Sequence, residues 1–244
     1  MKISKYLPSG MTRLMGLITA AAALAGVLPG TTAKVGAAPP PTTRIIIEVN
    51  ATDEDAGIQM FFDAEGWIRL EVFDPDGFKA FETTASGSVQ MQGLTEIFFE
   101  SEEPTLDELS LEDLFARFPA GQYTFVAVTR DGEILSGKAT LTHSIPDGPE
   151  LVSPEEDAVV DANNTVIEWL PVANPPGSKI VGYQVIVERE KPTLRVFSAD
   201  VSSKTTRITV PAEFMERNVE YKFEVLAIEA SGNQTISERT FRTR

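Results

Sequence analysis

The sequence predicts an all-β protein of two tandem β-sandwich domains, the first interrupted by one short helix. Three observations carry this expectation. Short segments with apolar residues at every second position recur along the chain, separated by turn-forming Gly, Pro, Asn and Asp. Helical spacing of apolar residues occurs around Leu111, Leu114, Phe115 and Phe118. Between the two strand-rich halves, Ser144–Pro154 reads SIPDGPELVSP, with three prolines and a glycine, which places a boundary near Asp147.

Ahead of both halves, residues 1–37 read as a secretory signal peptide. Lys2, Lys5 and Arg13 form a basic start, Leu14–Leu28 is an apolar run, and Val35-Gly36-Ala37 fits a small-x-small cleavage site. The run is shorter than the roughly 20 apolar residues a membrane helix needs. With no cysteine in the chain, lipidation and disulfides are both excluded. A cysteine-free exported chain of this size suits a bacterium, with a secreted or periplasmic destination and no membrane insertion after cleavage. Ala38–Thr43, APPPTT, then makes a stiff spacer.

Charge is unevenly divided. The full chain carries −15, and removing Lys2, Lys5, Arg13 and Lys34 with the leader leaves −19. Residues 38–146 hold 20 acids and 6 bases; residues 147–244 hold 16 and 11. Such acidity argues against nucleic acid and anionic membranes as partners. It favours a divalent cation, a basic partner, or simply a solvated surface.

In residues 38–146, Ile45, Ile47 and Val49 alternate with Arg44 and Glu48, and Ile68, Leu70 and Val72 alternate with Arg69 and Glu71. Asp74-Pro75-Asp76-Gly77 is a turn, from which Phe78–Thr83 returns. Leu94–Glu100 is a further strand. Tyr123–Thr129 and Ile134–Thr142 form a hairpin around Asp131-Gly132. The helix has two candidate capping boxes, Thr105 with Glu108 and Ser110 with Asp113, and is stopped by Pro119 and Gly121. Its short apolar stripe is expected to plug the sandwich edge. Asn50–Gln59, NATDEDAGIQ, reads as a solvated loop whose glycine permits the turn.

In residues 147–244, strands are expected at Asn164–Val172, through Tyr183, Val185 and Val187, at Thr205–Pro211, and on both sides of the Ser231-Gly232-Asn233 turn. Pro149, Trp169, Tyr183, the run Tyr221-Lys222-Phe223-Glu224-Val225-Leu226-Ala227, and the closing Gly232, Ser237 and Thr240-Phe241 together resemble a fibronectin type III domain over residues 148–244. The resemblance implies seven strands in two sheets, Trp169 in the central core and Tyr221 as a tyrosine corner. Where that family has Leu-x-Pro-x-Thr before the corner tyrosine, this chain has Met215, Arg217 and Val219. It also lacks Arg-Gly-Asp. Gly121-Gln122-Tyr123-Thr124-Phe125 is similar to patterns of Ig-like sandwiches, which makes the first domain Ig-like in expectation, of no recognised family.

Catalytic machinery is not evident in the sequence. His143, the one histidine, lies beside the boundary and reads as an interface or hydrogen-bonding residue. Zinc-protease, nucleophile-elbow and phosphate-loop motifs are absent. Two groups of candidate binding residues remain. Phe61, Phe62 and Trp67 read first as core packing and otherwise as an aromatic platform for a ligand such as a glycan, which an exposed Trp67 would favour. Asp53, Asp55, Asp63 and Glu65 are the candidate calcium ligands, because calcium takes several carboxylate and carbonyl oxygens. No other cofactor is implied. The expected role is an exported, non-catalytic binding or spacer protein, in which the type III-like module presents the acidic domain to a protein or glycan. The alternatives are an accessory or cryptic carbohydrate-active protein, signalled by paired carboxylates in an aromatic cleft, or a structural surface-assembly subunit.

Overall fold

A computed structural model describes residues 39–244, of which residues 40–244 form one compact unit. The leader assigned to residues 1–37 lies outside the described residues. Among the described residues, no helix is long and apolar enough to cross a membrane.

The first half contains β1 (Thr42–Asn50), β2 (Asp55–Phe73), β3 (Lys79–Thr84), β4 (Leu94–Glu100), β5 (Gly121–Thr129) and β6 (Ile134–Leu141). β2 is 19 residues long and serves both layers of the sandwich. Its first part, Asp55–Asp63, pairs with β1 and, from Gln59, with β4. Its last part, Trp67–Phe73, pairs with β5 and β3. The register slips between Asp63 and Trp67, where an irregularity lets the strand bend from one layer into the other. Ile45, Ile47, Ile58 and Phe62 from one layer meet Leu70, Val72, Tyr123 and Phe125 from the other, all essentially buried.

Two expectations need correction here. Asn50–Gln59 is not one loop: the turn is only Ala51–Glu54, and Gly57 lies inside β2. Asn50 Oδ1 accepts the N–H groups of Thr52 (2.9 Å) and Asp53 (3.1 Å), and Glu54 takes the left-handed conformation, φ 55°. The side chain of Asn50 and the backbone of Glu54 therefore supply what the glycine was expected to supply. The first half also contains two short helices, not one: α1 (Gly87–Gln92) and α2 (Leu111–Arg117). α1 buries none of its residues, so its sequence carries no apolar stripe to announce it. α2 is capped as expected, with Ser110 Oγ accepting from the Asp113 N–H at 3.2 Å. At the other candidate box, Glu108 accepts from the Thr105 N–H, but only a turn forms.

The second half holds β7 (Leu151–Ser153), β8 (Ala158–Val160), β9 (Thr165–Trp169), β10 (Ile180–Arg189), β11 (Leu194–Ser202), β12 (Arg207–Val210), β13 (Glu220–Glu229) and β14 (Gln234–Thr243). One sheet has the order β12-β9-β7. The other runs β11-β10-β13-β14, with β8 parallel to β14. This is a fibronectin type III-like sandwich. Trp169 is fully enclosed and meets Tyr183 edge-on at 5.4 Å. Tyr221 Oη accepts the Glu216 N–H at 2.8 Å, so the tyrosine corner forms despite Met215, Arg217 and Val219. Met215 is itself buried in that core.

The halves share a sheet. β14 pairs in parallel with β1 (Glu48 opposite Gln234, Val49 opposite Thr235, Asn50 opposite Ile236), so hydrogen-bonded strands run without a break from β11 to β6. Asn233, 1 % exposed, pins this seam. Its Oδ1 accepts the Ile47 N–H (2.9 Å), and its Nδ2 donates to the carbonyls of Thr142 (2.9 Å) and Ser144 (3.0 Å). Thr235 Oγ1 donates to the Pro146 carbonyl at 2.6 Å.

Candidate functional site

The strongest grouping of chemistry-bearing side chains lies on the outer face of the shared sheet, where β1, β2 and β4 run together. The inward residues of β1 are Ile45, Ile47 and Val49; alternation turns Glu48 to the other side. Directly opposite Glu48 on β2 stands Gly57, and on the other flank Gln234 of β14. One strand further on, Glu100 of β4 pairs with Gln59, whose Nε2 donates to the Glu100 carboxylate at 2.8 Å. After β4 the chain curls back, and Glu103 lies over Gly57. A Cβ at position 57 would stand 2.8 Å from Glu103 Cγ, so glycine makes this approach possible. Carboxylate oxygens of Glu48, Glu100 and Glu103 therefore come within 4.8 Å of one another.

Like charges this close raise one another's proton affinity. Glu48, 8 % exposed, has its pKa raised to about 7, chiefly by loss of water and further by Glu100 and Glu224. The amides of Gln234 and Gln59 hydrogen-bond its carboxylate and oppose the shift. Glu103 is pushed up to about 8, first by burial of its carboxyl and then by Glu100, Glu48, Asp55 and Asp53. Asp55 rises to about 6 through desolvation, Asp53 and Glu238.

The segment carrying Glu103 is tied to the β1–β2 turn. The Leu106 N–H donates to the Glu54 carbonyl (2.7 Å), and Asp55 and Thr105 form an isolated bridge. Asp53, Glu54, Glu102, Glu103, Asp107 and Glu108 thus share one end of the first half. None of them is in an ion pair among the described residues.

The predicted site residues fare unevenly. Phe62 and Trp67 are fully buried, ring centroids 5.6 Å apart, and Phe61 is 8 % exposed; they offer no surface platform. Asp53 and Asp55 do adjoin the carboxylate group. Asp63 and Glu65 do not: Asp63 is eight residues further along β2, about 26 Å at about 3.3 Å per residue, so the four cannot hold one ion. His143 Nε2 makes a 2.8 Å hydrogen bond with the Phe118 carbonyl, and its ring stacks on Phe115 at 4.1 Å. Glu48, Glu100 and Glu103 were not singled out from the sequence. An outward glutamate on a strand is ordinary, and only the register that sets Glu48 opposite Gly57 reveals its neighbours.

No family model matches the chain. Among solved structures, it is similar to a two-domain fibronectin type III segment of chicken tenascin (13 % identity, TM-score 0.31, covering 84 % of this chain and 99 % of that one). A segment of titin matches at 18 % identity and TM-score 0.28, covering 84 % of this chain and 65 % of that one. The BSP domain of a biofilm associated protein matches at 13 % identity and TM-score 0.28, covering 84 % and 30 % respectively. At these scores the matches add nothing beyond fold, which strand order and register already define.

Proposed function

We propose that the protein is an exported, non-catalytic binding module of two domains, residues 38–146 and 147–244. In this reading the type III-like domain holds the acidic domain toward a partner protein with a basic surface. The observation that carries it is the acidic end built from the β1–β2 turn and the segment after β4, whose carboxylates have no ion-pair partner among the described residues. Long-range attraction from such an end would accelerate encounter with a cationic surface. The glycan alternative loses its platform, because Phe62 and Trp67 face the core.

The test is affinity capture from the source organism's surface and secreted fractions, with the protein compared to a variant carrying Asp53→Asn, Glu54→Gln, Glu102→Gln and Asp107→Asn. A partner held by the parent, weakened by salt and lost from the variant supports the reading. Equal capture by both, or recognition confined to a glycan array, overturns it. N-terminal sequencing of the exported protein should begin at Ala38; retention of residues 1–37 would remove export from the proposal.

A second reading has its own observation, the approach of Glu48, Glu100 and Glu103 within 4.8 Å. These residues, with Asp55 alongside, offer the hard oxygen donors a divalent cation prefers. Calcium binding would then raise the melting midpoint over that in chelator. An unchanged midpoint at millimolar calcium retires it.

A further inference from the structure

We propose that the open edge of β4 is a docking site for an extended, cationic segment of a partner protein, which joins the sheet there as an added strand. This rests on the reading above of a partner with a basic surface and names the form of the contact.

One side of the first sandwich is closed and the other is not. On the closed side β6 comes against β1, where Thr43 Oγ1 donates to the Lys138 carbonyl at 2.8 Å. On the other side stand β3 and β4, one from each layer, and each pairs only with β2. The layers meet there through the rings of Phe81 and Phe99, stacked at 4.6 Å. Phe81, Ile97 and Phe99 pack on the core but are only half-buried, whereas Phe62 and Phe125 beside them are fully enclosed. The apolar cleft between the two edges, about 10 Å³, has room for the tip of a side chain and none for a larger ligand. An added strand would cover the half-buried residues and finish this side of the core.

The backbone of β4 offers the pairing groups. The Ser101 N–H donates to the Ile58 carbonyl of β2 at 2.9 Å. Alternation then turns the backbone groups of Ile97 and Phe99 toward β2, and those of Glu96, Phe98 and Glu100 toward the open edge. Among the described residues no strand or bridge takes up that edge. Charge selects the occupant. The same three residues carry their side chains on the outer face, and neither Glu96 nor Glu100 is in an ion pair among the described residues. On β3, by contrast, Lys79 and Arg69 balance Glu82 and Glu71. Two copies of β4 pairing about Phe98 would set Glu96 against Glu100 twice, which disfavours a second copy of this chain. A strand with Lys or Arg four residues apart would meet both glutamates, and apolar residues between the cations would face Ile97 and Phe99.

The probe is the acetylated and amidated peptide Gly-Lys-Ile-Val-Ile-Lys-Gly, added to the full chain and read by residue-resolved amide hydrogen exchange. At about 1 mM peptide the Glu96 and Phe98 amides should exchange about threefold or more slowly, while Val225 in the central strand β13 is unchanged. The peptide with Glu in place of both Lys should slow neither amide, nor should the peptide N-methylated at its central Val. Glu96→Lys, at an exposed position, should abolish the effect of the parent peptide. No selective slowing, or equal slowing by the N-methylated peptide, overturns the proposal. Slowing of the same amides with rising protein concentration and no peptide also overturns it, because the edge then belongs to a second copy. None of these measurements changes the four carboxylates of the capture experiment. Failure here with capture intact would therefore remove strand addition and leave the basic partner standing.

Discussion

The hairpin β5–β6 in the first half and the hairpin β13–β14 in the second are built alike. Each opens with a fully buried tyrosine, Tyr123 or Tyr221, followed two residues later by a buried phenylalanine, Phe125 or Phe223. Each tyrosine hydroxyl reaches back to backbone just upstream. Tyr123 donates to the Pro119 carbonyl at 3.2 Å, and Tyr221 accepts from the Glu216 N–H at 2.8 Å. Each turns through a glycine with positive φ, Gly132 (82°) or Gly232 (101°). The surroundings differ. In the second half the two layers are separate sheets, whereas in the first a single strand, β2, serves both. The lesson is that the hairpin is a local device, tolerant of how the remaining strands divide between layers.

The comparison can be tested by removing its large members first. Each half centres on one tryptophan, Trp67 or Trp169, both essentially inaccessible, and neither indole N–H has a hydrogen-bond partner among the described residues. Trp67→Ala and Trp169→Ala should each cost about 3–5 kcal/mol in denaturant unfolding. A loss below about 1 kcal/mol for either would mean that its core is not organised around that side chain. Next comes the seam, for which the first hairpin has no counterpart. Asn233→Ala should cost about 2–4 kcal/mol, because it strands the Ile47 N–H and the carbonyls of Thr142 and Ser144. A near-neutral result would show that the β1–β14 pairing holds without its pin.

Smaller effects separate the two corners. Tyr221→Phe should cost about 1–1.5 kcal/mol and Tyr123→Phe about 0.5–1, since only the former leaves a backbone N–H unpaired. The reverse order in chemical denaturation would break the analogy. The last measurement expects no difference. The chain has two tryptophans, so Trp67→Phe and Trp169→Phe leave one fluorescent reporter in each half. Through the shared sheet their melting transitions should coincide within about 2 °C when each is referred to its own calorimetric midpoint. Separate transitions would show that the halves unfold independently.

These features were unequally legible in the sequence. Alternation and turn chemistry located β1, the later part of β2, β5, β6, β13 and β14, because each shows an apolar face or borders a strong turn signal, and β4 was legible as the apolar run Leu94–Glu100. β7 and β8, three residues each, are too short to show a period. β11 has mostly half-buried residues on both faces, so its contrast is weak. The beginning of β2 was hidden by its acids and glycine; it reads as polar because Asp55 and Gly57 belong to the crowded outer face. The carboxylate group is further from view still. It depends on which residue stands opposite Glu48, and that is a property of register between strands.

Parallel pairing at the seam bears on how the molecule would respond to stretching. β1 and β14 run the same way, so tension applied before Thr42 and after Thr243 would drag the two strands in opposite directions along their lengths. The seam's hydrogen bonds lie across that pull and would be loaded together, as in a shear joint, instead of opening one at a time like a zipper. A protein built this way would pass force between its two sandwiches through a sheet, with the proline- and glycine-rich linker beside it carrying little of the load.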